Sequence, residues 1–277
     1  LLLISALFTK DMVFFKWYGN LYRKMLSMFD HLFLQTPASK QLIDGLDLSL
    51  NCSVAGDTRY DRVIEIAATA KRIAEIEKFI VDNKCIVAGS TWPEDELVIQ
   101  KAFSEINYPS VKLIIAPHEI DQKHFISMKE LFPGSILFSD LQQANQQMSE
   151  SQVLIIDNVG MLSSIYKYAT ITYVGGGLKS GGVHNVLEAA VYGKPVLFGS
   201  NYKKYNEAIE LVKSGGGLPF TDEKRNGIML KEIINALLIN EEEYNYRCEA
   251  AEKFVHTNKG ATEIITQYIQ EKRLLTS

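Results

Sequence analysis

The residues best suited to chemistry lie close together in ITYVGGGLKSGGVHNVLEAAVYGKPVLFG, residues 171–199. An apolar strand runs into a glycine-dense loop, and the loop runs into a helical pattern that ends at a Gly-Lys-Pro turn. Gly175, Gly176, Gly177, Gly181 and Gly182 let a ligand approach the main chain closely and permit positive φ. A helix start there offers unpaired N–H groups and the positive end of a dipole, which suits a phosphate. His184 and Asn185 fall in the first turn, and Glu188, four residues after His184, shares that helix face. One carboxylate can accept from two vicinal hydroxyls, the pair that a ribose presents. A tight connection with a capping Asn185 and a solvated Glu188 accounts for the same residues without a ligand. No Gly-Lys-Ser/Thr follows, so the loop is not a P-loop, and it does not match G-x-G-x-x-G after a first strand. Its late position disfavours a dinucleotide oxidoreductase.

Other strand ends carry similar residues. IVAGSTWPEDE is a strand, then Gly89-Ser90-Thr91, then a helix with Pro93 and acids in its first turn. The Ser90 and Thr91 hydroxyls would face an anionic sugar, or Thr91 simply caps. KLIIAPHEI ends a strand at His118, on the edge that bears ligands in open parallel sheets. In LIIDNVGMLSSIY the turn at Gly160 and Met161 could read a base, with Met161 against its ring, or Asn158 could be a plain N-cap. Glycines, hydroxyls, His and Glu thus converge on one sheet edge.

The elements that must position them follow from periodicity. Strands are expected at 1–5, 31–35, 53–56, 85–90, 112–117, 135–139, 153–157, 171–175 and 195–199. Helical spacing covers 62–81, 93–106, 183–192 and 205–213, and the tail from Arg225 reads as helices only. Near-continuous Val/Ile/Leu strands separated by helices mean a parallel sheet covered on both faces. The pattern breaks at VAGDTRYDR, so a boundary is expected near residue 60. Residues 1–60 then form the end of an N-terminal domain, and 61–258 a doubly wound domain.

The 277 residues, 47% hydrophobic and 22% charged, allow one large or two medium domains. A net charge of −4 argues against nucleic acid as a partner. Cys52, Cys85 and Cys248 lack metal-ligand spacing and read as reduced thiols. The run LLLISALF is far short of the roughly 20 residues that span a membrane. The chain opens on Leu inside a strand-like run, from which upstream sequence is expected.

GSTWPEDE, IIAPHEI, VAGDTRYD and YVGGGLKSGGVHNVLEAAVYGKPVLFG together resemble the 3-deoxy-D-manno-octulosonic acid (Kdo) transferases of lipopolysaccharide assembly. The likeness runs from about residue 4 to the end of the chain. It implies an α/β fold of GT-B type with two Rossmann-like doubly wound domains, the first only partly present here. Residues 259–277 would be a helix packing back toward the N-terminal domain. It implies inverting transfer of Kdo from CMP-Kdo to a lipid A precursor at the cytoplasmic side of the inner membrane, with no cofactor and no metal. By that likeness Glu188 holds the ribose hydroxyls, while Gly175, Gly176, Gly177, Gly181, Gly182 and Asn185 approach the CMP phosphate. The family's arginine before the strand-end histidine is missing beside His118, so Lys179 or a helix dipole must help neutralise phosphate. Trp92 stands where the family has histidine, Arg59, a candidate sugar or phosphate contact, stands where it has lysine, and Val183 lengthens the loop before His184. The family's catalytic base is a glutamate early in its N-terminal domain, and no residue here takes that role. The stretch alone is expected to bind CMP weakly and not to transfer sugar.

Residues 9–29 mix Lys10, Lys16, Arg23 and Lys24 with aromatic side chains. They could rest on anionic lipid, although an amphipathic helix packed on its own domain is the favoured reading. Two rival functions stay open: another GT-B enzyme of the UDP-N-acetylglucosamine transferase or epimerase type, and a non-catalytic nucleotide-binding protein.

Overall fold

A computed structural model describes residues 1–46, 48–141, 150–222 and 224–274. The chain divides into two compact units, Leu1–Glu65 with His256–Ser277, and Ile66–Val255.

The first unit is built on three parallel strands, β1 (Leu2–Ala6), β2 (His31–Leu34) and β3 (Cys52–Val54), in that order. Parallel neighbours need crossovers. A 3-10 turn at Val13–Phe15 with α1 (Asn20–Leu26) makes the first, and α2 (Pro37–Asp44) the second. The start of α2 is fixed locally, because Thr36 Oγ1 accepts from Ser39 N at 3.1 Å and Pro37 occupies the first turn. Alternation along β2 sends Leu32 and Leu34 to one face and Phe33 to the other. Leu32 and Leu34 pack with Phe8, Leu26 and Ile43. Phe33 and Ala55 pack with Ile265 of α12 (Ala261–Glu271), whose Tyr268 ring lies 4.5 Å from His31. Asp61 in α3 (Thr58–Thr69) anchors the start of α12, accepting from Gly260 N at 2.6 Å and Thr262 N at 2.8 Å.

Residues 9–29 are not one packed amphipathic helix. Phe14, Phe15 and Leu26 join the core, but Trp17 is 90% exposed and Leu21, Met25 and Met28 are also open to solvent.

The second unit holds seven parallel strands: β4 (Lys84–Thr91), β5 (Val111–Pro117), β6 (Ile136–Leu137), β7 (Val153–Ile155), β8 (Ile171–Val174), β9 (Val196–Gly199) and β10 (Gly217–Phe220). Their order is β10-β9-β8-β4-β5-β7-β6. The chain enters at β4, builds outward through β5, then returns to β8 on the opposite side of β4. The topological switch point therefore lies between β4 and β8, where open α/β sheets bind ligands beyond their carboxyl ends. Ile86, Ala88, Leu113, Ile115, Ile155 and Ile171 form a core with α5 (Pro93–Ser104), α6 (Gln122–Leu131) and α10 (Ile228–Ile239). Among the described residues, this unit also has α4 (Ala74–Ile80), α7 (Leu162–Ile165), α8 (Leu187–Ala190), α9 (Asn206–Ser214) and α11 (Glu241–Thr257).

Four sequence expectations need correction. The helix at 62–81 is two helices, α3 and α4, because tertiary partners take the backbone groups between them. Lys167 Nζ donates to the carbonyls of Ala70 and Lys71, and Ile73 N donates to Tyr168 Oη at 2.6 Å. The helix at 183–192 shrinks to the single turn α8, since Val183 N bonds Asn201 O and His184 N bonds Gly175 O. The strand at 135–139 is β6 followed by a 3-10 turn, Phe138–Asp140. Strand β10 is hidden by Gly217 and Pro219, and the proline is tolerated because, among the described residues, β10 is an edge strand bonded only to β9.

Ile265→Ala should lower unfolding free energy by about 2–5 kcal/mol, since its side chain fills the gap against Phe33. Denaturant titration checks this; a loss below about 0.5 kcal/mol contradicts the packing.

Candidate functional site

At the switch point the backbones of β4 and β8 approach closely. Gly175 N donates to Gly89 O at 2.9 Å, and a Cβ on Gly175 would sit 2.2 Å from the Ser90 carbonyl oxygen. A Cβ on Gly177 would sit 2.5 Å from Gly199 N. Gly176 and Gly182 both adopt φ +87°, which side-chain-bearing residues avoid. Only at Gly181, of these five, would a Cβ meet nothing within 4 Å. Four of the loop's glycines are thus required by the protein's own packing or backbone, and one faces open space. Ser90 carries φ +52° at a β-bulge between Gly89 and Thr91, a strained conformation that turns its carbonyl against Gly175.

A buried carboxylate ties this junction together. Asp95, fully buried, accepts from Trp92 N at 3.0 Å and Gly176 N at 2.9 Å through Oδ2, and from Tyr173 Oη at 2.6 Å through Oδ1. Burial pushes its pKa up, while the three donors pull the other way. Sequence reasoning read Asp95 as a first-turn acid; its link to the glycine loop has no local signature. Next to it, Thr91 is fully buried and donates to Glu96 Oε1 at 2.9 Å, and Glu96 Oε2 meets His124 Nε2 at 2.8 Å. Thr91 therefore does not present its hydroxyl to a sugar, and the Glu96–His124 pair was missed.

Four side chains form a column above the strand ends. The His118 and His184 rings stack at 4.2 Å, with Trp92 4.8 Å from His118. Trp92 Nε1 donates to His184 Nε2 at 2.8 Å, and Lys179 Nζ lies 3.1 Å from the centre of the Trp92 ring. Burial first, then the neighbouring His118 and Lys179, hold the His184 pKa below its usual 6.5. The unfolded chain therefore binds the proton more readily. Neutral His184 contributes stability that is present above pH 6.5 and lost as pH falls below it.

Asn185 Oδ1 accepts from Leu187 N at 3.2 Å, and its Nδ2 donates to Glu188 Oε1 at 3.0 Å. The capping reading and the carboxylate reading meet here, because the cap also orients Glu188. Gly160, at φ +92°, and half-buried Met161 lie on the loop after β7. Asn158 Nδ2 donates to Met161 Sδ, leaving Asn158 Oδ1 buried without a partner. The structure thus joins His118, Lys179 and His184 through Trp92, and Asn185 with Glu188. Arg59 belongs to the first unit and is committed to Asp57, with Nη2 2.7 Å from Oδ2. Among the described residues no group of three or more His, Cys, Asp or Glu side chains could hold a metal ion, and no helix is long and apolar enough to cross a membrane.

Sheet order and site placement define an α/β fold of the GT-B type. Among solved structures, the CMP-Kdo binding domain of WaaA from Acinetobacter baumannii aligns over 70% of this chain and 98% of its own, with TM-score 0.55 and 20% identity. The S. aureus MnaA–UDP structure aligns over 99% of this chain and 70% of its own, with TM-score 0.61 and 17% identity. No protein-family model matches the chain. A 3-deoxy-D-manno-octulosonic acid transferase of Aquifex aeolicus is 33% identical over 155 residues, 54% of this chain and 42% of that protein. One of Rickettsia typhi is 23% identical over 90% of this chain and 52% of its own length. A bifunctional glycosyltransferase/methyltransferase of Fusobacterium nucleatum is 27% identical over 92% of this chain and 37% of its own. The chain is therefore a relative of the Kdo transferases, and it spans about half the length, or less, of these curated relatives.

Gly175→Ala and Gly177→Ala should each destabilise the second unit by about 1–3 kcal/mol or more, whereas Gly181→Ala should leave its melting temperature within a degree or two. Equal effects at all three positions would contradict the packing assignment.

Proposed function

We propose that this chain carries the donor-binding part of a glycosyltransferase that moves Kdo from CMP-Kdo to a lipid A precursor in lipopolysaccharide synthesis. One observation carries the reading. The switch point combines the Asn185–Glu188 pair, the glycine loop and a histidine-lysine column, in a chain whose relatives include Kdo transferases matched over most of its length. Glu188 accepts from the two ribose hydroxyls, held in direction by Asn185. Lys179, His184 and the open face at Gly181 receive the phosphate, and the turn at Gly160–Met161 receives the base. In the transfer an acceptor hydroxyl attacks the anomeric carbon of Kdo from the face opposite CMP. The bond from that carbon to the phosphate oxygen breaks, CMP leaves with the electron pair, and configuration inverts. The hydroxyl proton goes to a base, for which no residue of this chain is assigned.

A uridine-linked enzyme is the second reading, favoured by the likeness of fold to the MnaA–UDP structure. Calorimetry with CMP, UMP and UDP separates the two. CMP should bind at least tenfold more tightly than UMP or UDP, and Glu188→Gln should cost CMP tenfold or more, about 1.4 kcal/mol. Tighter UDP binding supports the second reading, and unchanged CMP affinity in Glu188→Gln ends the proposed role of that residue.

The acceptor side of the proposal involves the first unit. Trp17, Leu21, Met25 and Met28 are exposed in a segment that also carries exposed Lys10 and Lys24 and half-buried Lys16, in a chain of net charge −4, whereas Arg23 turns back to donate from Nη2 to Lys16 O at 3.2 Å. Such a surface suits the anionic face of a membrane, where the lipid acceptor resides. Replacing Lys10, Lys16 and Lys24 with Gln should weaken co-sedimentation with anionic vesicles roughly hundredfold, at about 1 kcal/mol per basic residue. Undiminished binding, or none by the wild type, removes the membrane from the account.

A further inference from the structure

Lys179 is anchored at its root and parked at its tip. Its amide donates to Gly176 O at 3.0 Å, and its carbonyl accepts from Gly182 N at 3.1 Å and Asn201 Nδ2 at 3.2 Å. Its ammonium lies over the Trp92 ring, and among the described residues no carboxylate pairs with it. A cation over an indole face is held by the ring's quadrupole while its N–H donors stay free for an anion.

The same indole acts on a second side chain. Trp92 Nε1–H can only donate, so the 2.8 Å contact requires a lone pair on His184 Nε2. The proton of neutral His184 must then sit on Nδ1. The stacked His118 ring limits rotation of His184, and Asp95 fixes the Trp92 backbone through its amide. Charged and titratable groups around this assembly are His118, Lys179, Asp95 and, lining a cavity beside Trp92, Glu94, Glu96, Glu119, Asp121, Lys123 and His124.

We infer that Trp92 is a positioning residue: its ring face holds the Lys179 ammonium and its N–H fixes the His184 tautomer, so that both present donors to the phosphate of a nucleotide. This deepens the proposed donor site and rests on that reading. Trp92 does not touch the reacting atoms; it acts through Lys179 and His184. When phosphate arrives Lys179 donates to it from its place over the ring, and His184 keeps its Nδ1 proton because Trp92 occupies the other nitrogen. Protonation of Nε2 would set two donors against each other and break the link between Trp92 and His184.

The test compares wild type, Trp92→Phe and Trp92→Leu, each binding CMP and, separately, cytidine. Trp92→Phe keeps a ring under Lys179 and loses the N–H; Trp92→Leu loses both. Nitrogen-15 NMR of His184 reports the tautomer. In the wild type, Nε2 should be unprotonated and Nδ1 protonated at pH 7.5. Trp92→Phe should raise the pH at which His184 titrates and weaken CMP about three- to tenfold. Trp92→Leu should weaken CMP further, by tenfold or more, with cytidine affinity unchanged in both variants. Melting curves identify variants that do not fold, and Trp92→Phe decides the matter if Trp92→Leu is one of them. Wild-type CMP affinity in Trp92→Phe with an unmoved His184 titration overturns the inference, as does equal loss for CMP and cytidine. Absence of both CMP and cytidine binding in the wild type overturns the donor-site reading itself. A protonated Nε2 in the wild type overturns only the role of Trp92.

Discussion

A buried carboxylate holding three donors is the constraint on which the ligand edge depends. Asp95 sits at the start of α5, yet its partners come from the end of β8 and from the glycine loop as well as from Trp92, just before its own helix. A carboxyl group out of water needs every lone pair used. Here that requirement sets the position of Gly176 relative to Trp92, two residues far apart in sequence and on opposite sides of the switch point. The aromatic column and the loop are fixed to the same anchor, and neither can shift without stranding a buried acceptor.

Close backbone packing follows from that arrangement. With Gly176 drawn to Asp95, Gly175 lies against the Ser90 carbonyl and Gly177 against Gly199, so no side chain fits at either position. Ser90 takes a left-handed conformation at the bulge that brings its carbonyl there. Strain of this kind persists where surrounding contacts over-determine the backbone, and it clusters at ligand-bearing edges. The glycines of the loop thus serve different ends: Gly175 and Gly177 permit strand ends to touch, Gly176 and Gly182 take a positive φ, and Gly181 leaves a window in the rim.

Much of this was legible in the sequence, for physical reasons that can be named. Long apolar strands such as 112–117 announce themselves because a parallel strand buried on both faces has no polar position to break the run. The glycine loop and the Asn185–Glu188 spacing were readable because local geometry fixes them. The helix at 183–192 was misread because His184 and Val183 give their amides to Gly175 and Asn201, partners that no window of sequence contains. Strand β10 was missed because Gly and Pro ordinarily end strands, and only its edge position excuses them. Asp95 looked like any helix-start acid, and Thr91 like an open hydroxyl; both are turned inward by contacts made across the sheet. Residue type gave the chemistry at hand, while tertiary contact decided which groups face outward.

A crystal structure of the chain soaked with CMP tests the central claim most directly. The account predicts the ribose against the Glu188 carboxylate and the phosphate among Lys179, His184 and the Gly181 rim, beyond the carboxyl ends of β4 and β8. Nucleotide density away from that edge, or ribose hydroxyls turned from Glu188, would contradict it.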